Sequence, residues 1–141
     1  MFYAEFLVAF NALRKFKSVK NPSDNFLQGR IKSVRYALKG VWLLLTTEHS
    51  IMVQFFIAII MTIVGFLVQL SSTEWVLQLL AIGLVMIAES LNTAIEKLAD
   101  FIEPSYDKKI GFIKDIAAGA PAIAAIIAII IGLLIYLPKI S

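Results

Sequence analysis

Three long apolar stretches, separated by short polar segments, dominate the pattern of the chain. No charged residue lies between Glu48 and Glu74, and this interval includes the roughly 20 apolar residues that a bilayer crossing needs. After a polar turn at residues 71–74, a second stretch is uncharged as far as Ala88, and a third approaches the carboxyl end. The pattern therefore predicts an all-α membrane protein with transmembrane helices at about residues 50–70, 75–100 and 116–137.

Composition supports a membrane protein and narrows the possible chemistry. The 141 residues are 60% hydrophobic and only 16% charged, whereas a soluble domain is close to half apolar and a quarter charged. The chain has no cysteine, which excludes disulfides, a thiolate nucleophile and a cysteine-based zinc site. The single histidine, His49, cannot build a histidine-rich metal site. Any catalysis must therefore rest on carboxylates, lysines and a bound metal.

The segment before the first span is basic. In residues 30–47, basic positions alternate with apolar positions at helical spacing, which predicts a surface helix on an anionic leaflet; a solvated helix is the alternative. Residues 1–29 are interpreted as an N-terminal extension, of which residues 1–20 suit an amphipathic interfacial helix and residues 21–29 a loop. Residues 30–141 then form the membrane domain.

The positive charges are distributed unevenly around the predicted spans. Eight of the thirteen lysines and arginines lie before Glu48, four lie between Lys97 and Lys114, and one lies after Leu137. By the positive-inside rule, the first two of these segments are cytoplasmic, so the amino terminus is inside and the carboxyl terminus outside.

A row of polar side chains lies at the end of the second apolar stretch. Glu89, Asn92, Glu96 and Asp100 share one helix face, and ionisable groups in such a place mark a functional site by default. Glu89 and Glu96 are two turns apart, roughly 10 Å, so one helix cannot bring both onto the same ion. The hypothesis is that Glu96 binds Mg²⁺ together with Glu48, while Glu89 acts as general base on a lipid hydroxyl.

The predicted loop of residues 101–114 leads into the third span. Lys114 can offer a positive charge to phosphate groups, and Asp115 can cap the third helix or orient Lys114. Pro121 removes a backbone donor, so it either delays the start of the regular helix or kinks it.

Simpler interpretations stand beside these. The acidic face can be polar glue between helices of an oligomer, Glu89 can be a proton relay of a small transporter, and Glu48 can stabilise a helix dipole. Lys97, Lys108 and Lys109 are interpreted as ordinary anchors on the inner side. No P-loop motif occurs. The residues alone indicate a cytoplasm-facing acidic site in a three-span membrane protein.

The segment ESLNTAIE at residues 89–96, followed by Asp100, Tyr106 and the pair Lys114–Asp115, resembles the prokaryotic diacylglycerol kinase family. This family comprises small integral-membrane kinases that act on diacylglycerol and, in a sister branch, on undecaprenol. The pattern E-x-x-N-[ST]-A-x-E-x-x-x-D is specific when it lies between two hydrophobic spans, and the resemblance extends over about residues 30–140.

The resemblance implies a surface helix plus three transmembrane helices, assembled as a homotrimer whose active sites are shared between protomers at the cytoplasmic face. It also implies roles for individual positions. The expected general base is Glu89, the metal-binding carboxylates are Glu48 and Glu96, and the supporting residues are Asn92 and Asp100. The expected nucleotide contacts are Tyr36, Glu48, Glu96, Tyr106, Lys114 and Asp115. Arg30 is expected to bind the lipid substrate together with Glu89.

The function that this resemblance implies is phosphorylation of a membrane lipid alcohol by ATP and Mg²⁺ in the bacterial cytoplasmic membrane. Diacylglycerol is the first expected acceptor and undecaprenol the alternative; no nucleic-acid partner is expected. A small oligomeric transporter or scaffold is the alternative from another class. The sequence disfavours a transporter because residues 51–70 and 116–137 contain few polar side chains to line a path across the bilayer.

Overall fold

The computed structural model describes residues 25–140, and these residues form helices joined by short connections, without a strand. The helices are α1 (Phe26–Thr47), α2 (His49–Leu67), α3 (Ser72–Ile102) and α4 (Lys108–Ile140). The interfacial helix predicted for residues 1–20 lies outside the described residues. The chain divides into two compact units, with the boundary between Val41 and Trp42.

Helix α1 begins at Phe26, before the expected start at residue 30, so the loop prediction is wrong for the last residues before Arg30. A hydrogen bond of 3.0 Å from the Gly29 N–H to the Asn25 carbonyl oxygen forms the first turn of the helix. The Arg30 guanidinium lies 5.3 Å from the centroid of the Phe26 ring, a cation–π contact that helps to order this first turn. The helix has no buried residue.

The other three helices are each long and apolar enough to cross a membrane, with 19, 31 and 33 residues. The three predicted spans are confirmed as helices. The polar turn between the first two ends in a capping box, in which the Ser71 hydroxyl accepts from the Glu74 N–H and the Glu74 carboxylate accepts from the Ser71 N–H. This motif begins α3 directly at Ser72.

Helix α4 begins at Lys108, so the predicted loop is wrong for residues 108–114. The Asp107 carboxylate accepts hydrogen bonds from the N–H groups of Lys109 and Ile110, at 2.7 and 3.2 Å, and so caps the helix seven residues before Lys114. Asp115 therefore lies inside the helix and does not cap it. Pro121 also lies within the continuous helix, so of the two alternatives the late start is wrong.

Helix α3 packs more extensively against α4 than against α2. Small buried side chains allow this close approach of two membrane helices; they are Ala81 and Ala99 on α3, and Ala117 and Ala124 on α4. At the end of the bundle that carries Ser71, Gln78 donates to the Met61 carbonyl oxygen at 3.1 Å, and the Tyr136 hydroxyl donates to Gln78 Oε1. All three apolar helices are thus linked at this end.

Candidate active site

The charged residues of the predicted site gather at the opposite end of the bundle, where α2 begins, α3 ends and α4 begins. We call this the acidic end and define it by Glu48, Glu96, Lys97, Asp100 and Lys114. Two ion pairs connect the three helices at this end. Lys97 on α3 reaches Glu48 just before α2, and Lys114 on α4 reaches Asp100 on α3.

Glu48 occupies the N-cap position of α2 in extended backbone conformation, but its side chain makes no cap hydrogen bond. Instead, Glu48 Oε1 accepts from the Thr47 hydroxyl at 2.7 Å and lies 3.0 Å from the Lys97 amine. The hydrogen bond from Thr47 and then that from Lys97 lower the pKa of the Glu48 carboxyl below its ordinary value. Glu48 is therefore held as a carboxylate whose side chain is only 17% exposed.

The ion pair of Lys97 corrects the sequence interpretation, which predicts an ordinary anchor at this position. Its partner Glu48 is 49 positions away in the sequence, and no local spacing indicates such a contact. Lys97 directly follows Glu96 on α3. The contact therefore brings the backbone beside Glu96 towards Glu48. Glu48 and Glu96 are the two residues assigned to the metal.

Asn92 and Glu96 form the second polar group of α3. Asn92 Nδ2 donates to Glu96 Oε1 at 2.9 Å, across one helical turn, as the predicted shared face allows. Asn92 is only 7% exposed, and its Oδ1 atom has no hydrogen-bond partner among the described residues. The half-buried Glu96 carboxylate is thus oriented by a neighbour that is itself fixed by packing.

The remaining predicted residues of this end lie around the connection from α3 to α4. Lys114 pairs with Asp100 and not with Asp115, which is exposed. Tyr106 lies in the connection itself and is 90% exposed. Arg30 and Tyr36 lie in the first compact unit, both exposed, and their assignments stay predictions.

Glu89 is half-buried and lies seven residues before Glu96, roughly 10 Å along the helix axis. A groove of about 410 Å³, lined by all three apolar helices, lies before Glu89 along α3. On α3 the lining includes Gln78, Ile82 and Val85, and helical spacing continues this row to Glu89. An apolar groove therefore leads along α3 towards the level of the carboxylate that was predicted to act as a base.

The donor set at the acidic end fits Mg²⁺. No group of three metal-ligating side chains occurs within residues 25–140. Mg²⁺ in phosphate-transferring sites is usually held by one or two carboxylates plus substrate phosphates and water, so a closed protein cage is not needed. Glu48 and Glu96 supply carboxylates of the required chemistry at the same end of the bundle.

Three apolar spans with a charged, carboxylate-containing end define a multi-pass membrane protein with a polar site. The profile of the family described as "Prokaryotic diacylglycerol kinase" matches residues 35–136. The chain belongs to this family of lipid kinases, which phosphorylate a membrane lipid with a nucleotide as phosphate donor.

Curated relatives agree with this assignment. The chain is 42% identical over 115 residues to the undecaprenol kinase of Bacillus subtilis, covering 82% of this chain and 94% of that protein. It is 36% identical over 107 residues to the diacylglycerol kinase of Synechocystis, covering 75% of this chain and 61% of that protein. Identity to the diacylglycerol kinase of Escherichia coli K12 is 30% over 100 residues, covering 71% of this chain and 82% of that protein.

Proposed function

We propose that the protein transfers the γ-phosphoryl group of ATP to the hydroxyl group of a membrane lipid alcohol, with Mg²⁺ bound at the acidic end. The observation that carries this proposal is the gathering of Glu48, Glu96 and Lys114 at one end of three apolar helices, beyond the level of Glu89. Carboxylates and a lysine at a membrane boundary suit a reaction between a charged nucleotide and a lipid.

Each side chain has a distinct role in this proposal. Glu48 and Glu96 hold Mg²⁺, which would neutralise negative charge on the β- and γ-phosphates. Lys114 contacts the phosphates directly, and Asp100 positions the Lys114 amine through their ion pair. Asn92 orients Glu96 through its hydrogen bond. Further nucleotide contacts are assigned to Tyr36, Tyr106 and Asp115.

Glu89 is the general base of the proposed reaction. Its carboxylate takes the proton of the lipid hydroxyl while the lipid oxygen forms a bond to the γ-phosphorus of ATP. The bond between that phosphorus and the β–γ bridging oxygen breaks, and ADP leaves with the electron pair. The apolar groove that approaches Glu89 offers a place for the lipid chain, and Arg30 is assigned to the lipid substrate.

Two acceptors fit this chemistry, because the reacting group is a hydroxyl in both. Undecaprenol is favoured by the 42% identity to an undecaprenol kinase over 94% of its length. Diacylglycerol, the first expectation from the sequence, is supported by the relatives at 36% and 30% identity. The lipid product is undecaprenyl phosphate in the first case and phosphatidate in the second.

We place the site at the cytoplasmic face of a bacterial inner membrane, because twelve of the thirteen lysines and arginines lie in the sequence before Glu48 or between Lys97 and Lys114, and because ATP is a cytoplasmic nucleotide. The chain has no cysteine, so single cysteines introduced at Ser105 and Thr73 can be labelled in intact cells. An impermeant maleimide should label only Thr73→Cys in intact cells and both variants after permeabilisation. Labelling of Ser105→Cys in intact cells would show that the protein has the opposite orientation.

The proposed assembly is a homotrimer whose active sites are shared between protomers. Mixed assemblies test this arrangement directly. Co-assembled Glu89→Gln and Glu96→Gln protomers should regain activity if the base and the metal-binding carboxylate of one site come from different chains. Native mass spectrometry of the same sample reports the number of protomers. Activity that stays absent in assemblies shown to be mixed would confine both residues to one chain.

The reaction itself is tested with purified protein in mixed micelles containing ATP and Mg²⁺, with dioleoylglycerol and undecaprenol offered in parallel. Transfer of labelled phosphate to one lipid names the acceptor. Glu89→Gln should lower kcat by about 10²- to 10⁴-fold, whereas the matched control Glu103→Gln should stay within about twofold of the parent. Turnover of neither lipid, or activity unaffected by Glu89→Gln, would contradict the proposal and favour transport or scaffolding.

A further inference from the structure

Lys97 lies at the place where the proposed site needs a cation. Its amine is 3.0 Å from Glu48 Oε1, and it is carried by the residue that follows Glu96. The Lys97 side chain is 65% exposed, whereas that of Glu48 is only 17% exposed. The lysine therefore reaches inward from an exposed position to neutralise a more enclosed carboxylate.

The same oxygen of Glu48 lies within hydrogen-bond distance of two donor groups. Oε1 accepts from the Thr47 hydroxyl at 2.7 Å as well as from Lys97. The Thr47 hydroxyl has a single proton and also lies 2.8 Å from the Leu43 carbonyl oxygen, but Lys97 alone occupies one of the about two lone-pair directions of Oε1. A dication on the other oxygen of this carboxylate would still lie close to the ammonium group and repel it.

We propose that Lys97 is a placeholder cation, which pairs with Glu48 and orients it and is displaced when the divalent metal binds. This inference rests on the proposed assignment of Glu48 to the metal. Lys97 is a positioning residue, since it acts through Glu48, and it competes with the metal. The long exposed side chain can turn into solvent on displacement.

A purely structural role of Lys97 predicts the opposite change in metal affinity. If Lys97 only fixed the geometry of Glu48, removing its charge would loosen the carboxylate and weaken metal binding. If Lys97 is a placeholder, removing its charge removes a competitor and strengthens metal binding. The sign of the change in metal affinity therefore separates the two roles, without reference to catalytic activity.

The experiment measures Mn²⁺ binding by electron paramagnetic resonance on the purified, detergent-solubilised protein, without nucleotide or lipid. Lys97→Met should bind Mn²⁺ about two- to fivefold more tightly than the parent, as expected for loss of a competing, partly exposed ion pair. Lys97→Arg, which keeps the charge, should stay near the parent. Lys109→Met removes the same charge at the same end without an ion pair to Glu48, so it controls for the general loss of positive charge.

A second measurement uses the unmodified protein and so does not depend on a variant folding. Acetylation of Lys97, followed by mass spectrometry, should become faster when Mg²⁺ is added, whereas acetylation of Lys109 should not change. Unchanged or weaker Mn²⁺ binding by folded Lys97→Met, or acetylation of Lys97 that Mg²⁺ does not alter, would overturn the placeholder role. Mn²⁺ binding that is insensitive to Glu48→Gln would instead contradict the metal assignment in the proposed function.

Discussion

Lys114 on α4 forms an ion pair with Asp100 on α3, although its sequence neighbour Asp115 is also a carboxylate. A lysine side chain on a helix does not face the residue next to it, whereas Asp100 is brought close by the packing of the two helices. Their side chains are 33% and 62% exposed, so the pair contributes little to stability. The ion pair instead orients the Lys114 amine, which we assign to the ATP phosphates.

This relationship predicts unequal effects for its two members. Lys114→Met should raise the KM for ATP by about tenfold or more, because it removes a charged hydrogen bond to phosphate. Asp100→Asn should raise it by only about two- to fivefold, because the amine remains but is less well placed. Steady-state kinetics of both variants in mixed micelles measure these changes.

The double variant decides whether Asp100 acts through Lys114. Asp100→Asn combined with Lys114→Met should be no worse than Lys114→Met alone, since a missing amine cannot be misplaced. Effects that multiply would show instead that Asp100 contacts nucleotide or metal independently.

The hydrogen bond from Asn92 to Glu96 predicts a loss of metal affinity when it is removed. Asn92→Ala should weaken Mn²⁺ binding by about tenfold or more, as is typical when the partner that orients a metal ligand is lost. Ser90→Ala is the matched control, because the Ser90 hydroxyl donates only to the Met86 carbonyl oxygen of its own helix. Equal Mn²⁺ affinities in the two variants would contradict the positioning role of Asn92.

The environment of Glu48 predicts how acid affects stability. Hydrogen bonds from Thr47 and Lys97 lower its pKa in the folded protein below the ordinary value of 4.5. The ionised carboxylate therefore stabilises the folded state above about pH 4.5, and this contribution is lost as the pH falls through the lower, folded-state pKa. The free energy of unfolding, measured in mixed micelles with EDTA, should exceed that of Glu48→Gln near neutral pH.

This stability difference should shrink as the pH falls from about 7 to about 3, because Glu48 then becomes protonated and resembles glutamine. Thr47→Ala removes the strongest cause of the lowered pKa, so its loss of stability should begin at a higher pH than in the parent. A difference between parent and Glu48→Gln that is constant over the whole range would show that the charge of Glu48 does not stabilise the fold.

Periodicity in the sequence was sufficient to predict the three spans and the shared face of Asn92 and Glu96, because both depend on helical spacing within one element. It was not sufficient for contacts between elements. The pair of Glu48 and Lys97 depends on how α2 and α3 pack, and nothing local distinguishes Lys97 from an ordinary anchor.

The start of α4 shows a different reason for a wrong prediction. The charge of the segment after α3 favours a loop as far as Lys114, although Asp107 is a strong N-cap residue. Asp107 alone signals the helix start, and it does so within a segment whose composition is otherwise typical of a loop. Residues that precede Trp42 illustrate a further limit, since their assignments to nucleotide and lipid rest on resemblance alone.

Gly65 on α2 packs against the side chains of Trp75 and Leu70, which predicts a large effect for a single methyl group. A Cβ atom at this position would lie 2.9 Å from Trp75 Cη2 and 3.0 Å from Leu70 Cδ1. Gly65→Ala should therefore lower the free energy of unfolding by about 1–3 kcal/mol, since the indole ring must shift. Gly83→Ala on α3 meets no atom within 4 Å and should be neutral or slightly stabilising. Unfolding by SDS in mixed micelles measures both changes. Equal stability of the two variants would show that the Trp75 ring shifts away from position 65 without lowering the free energy of unfolding.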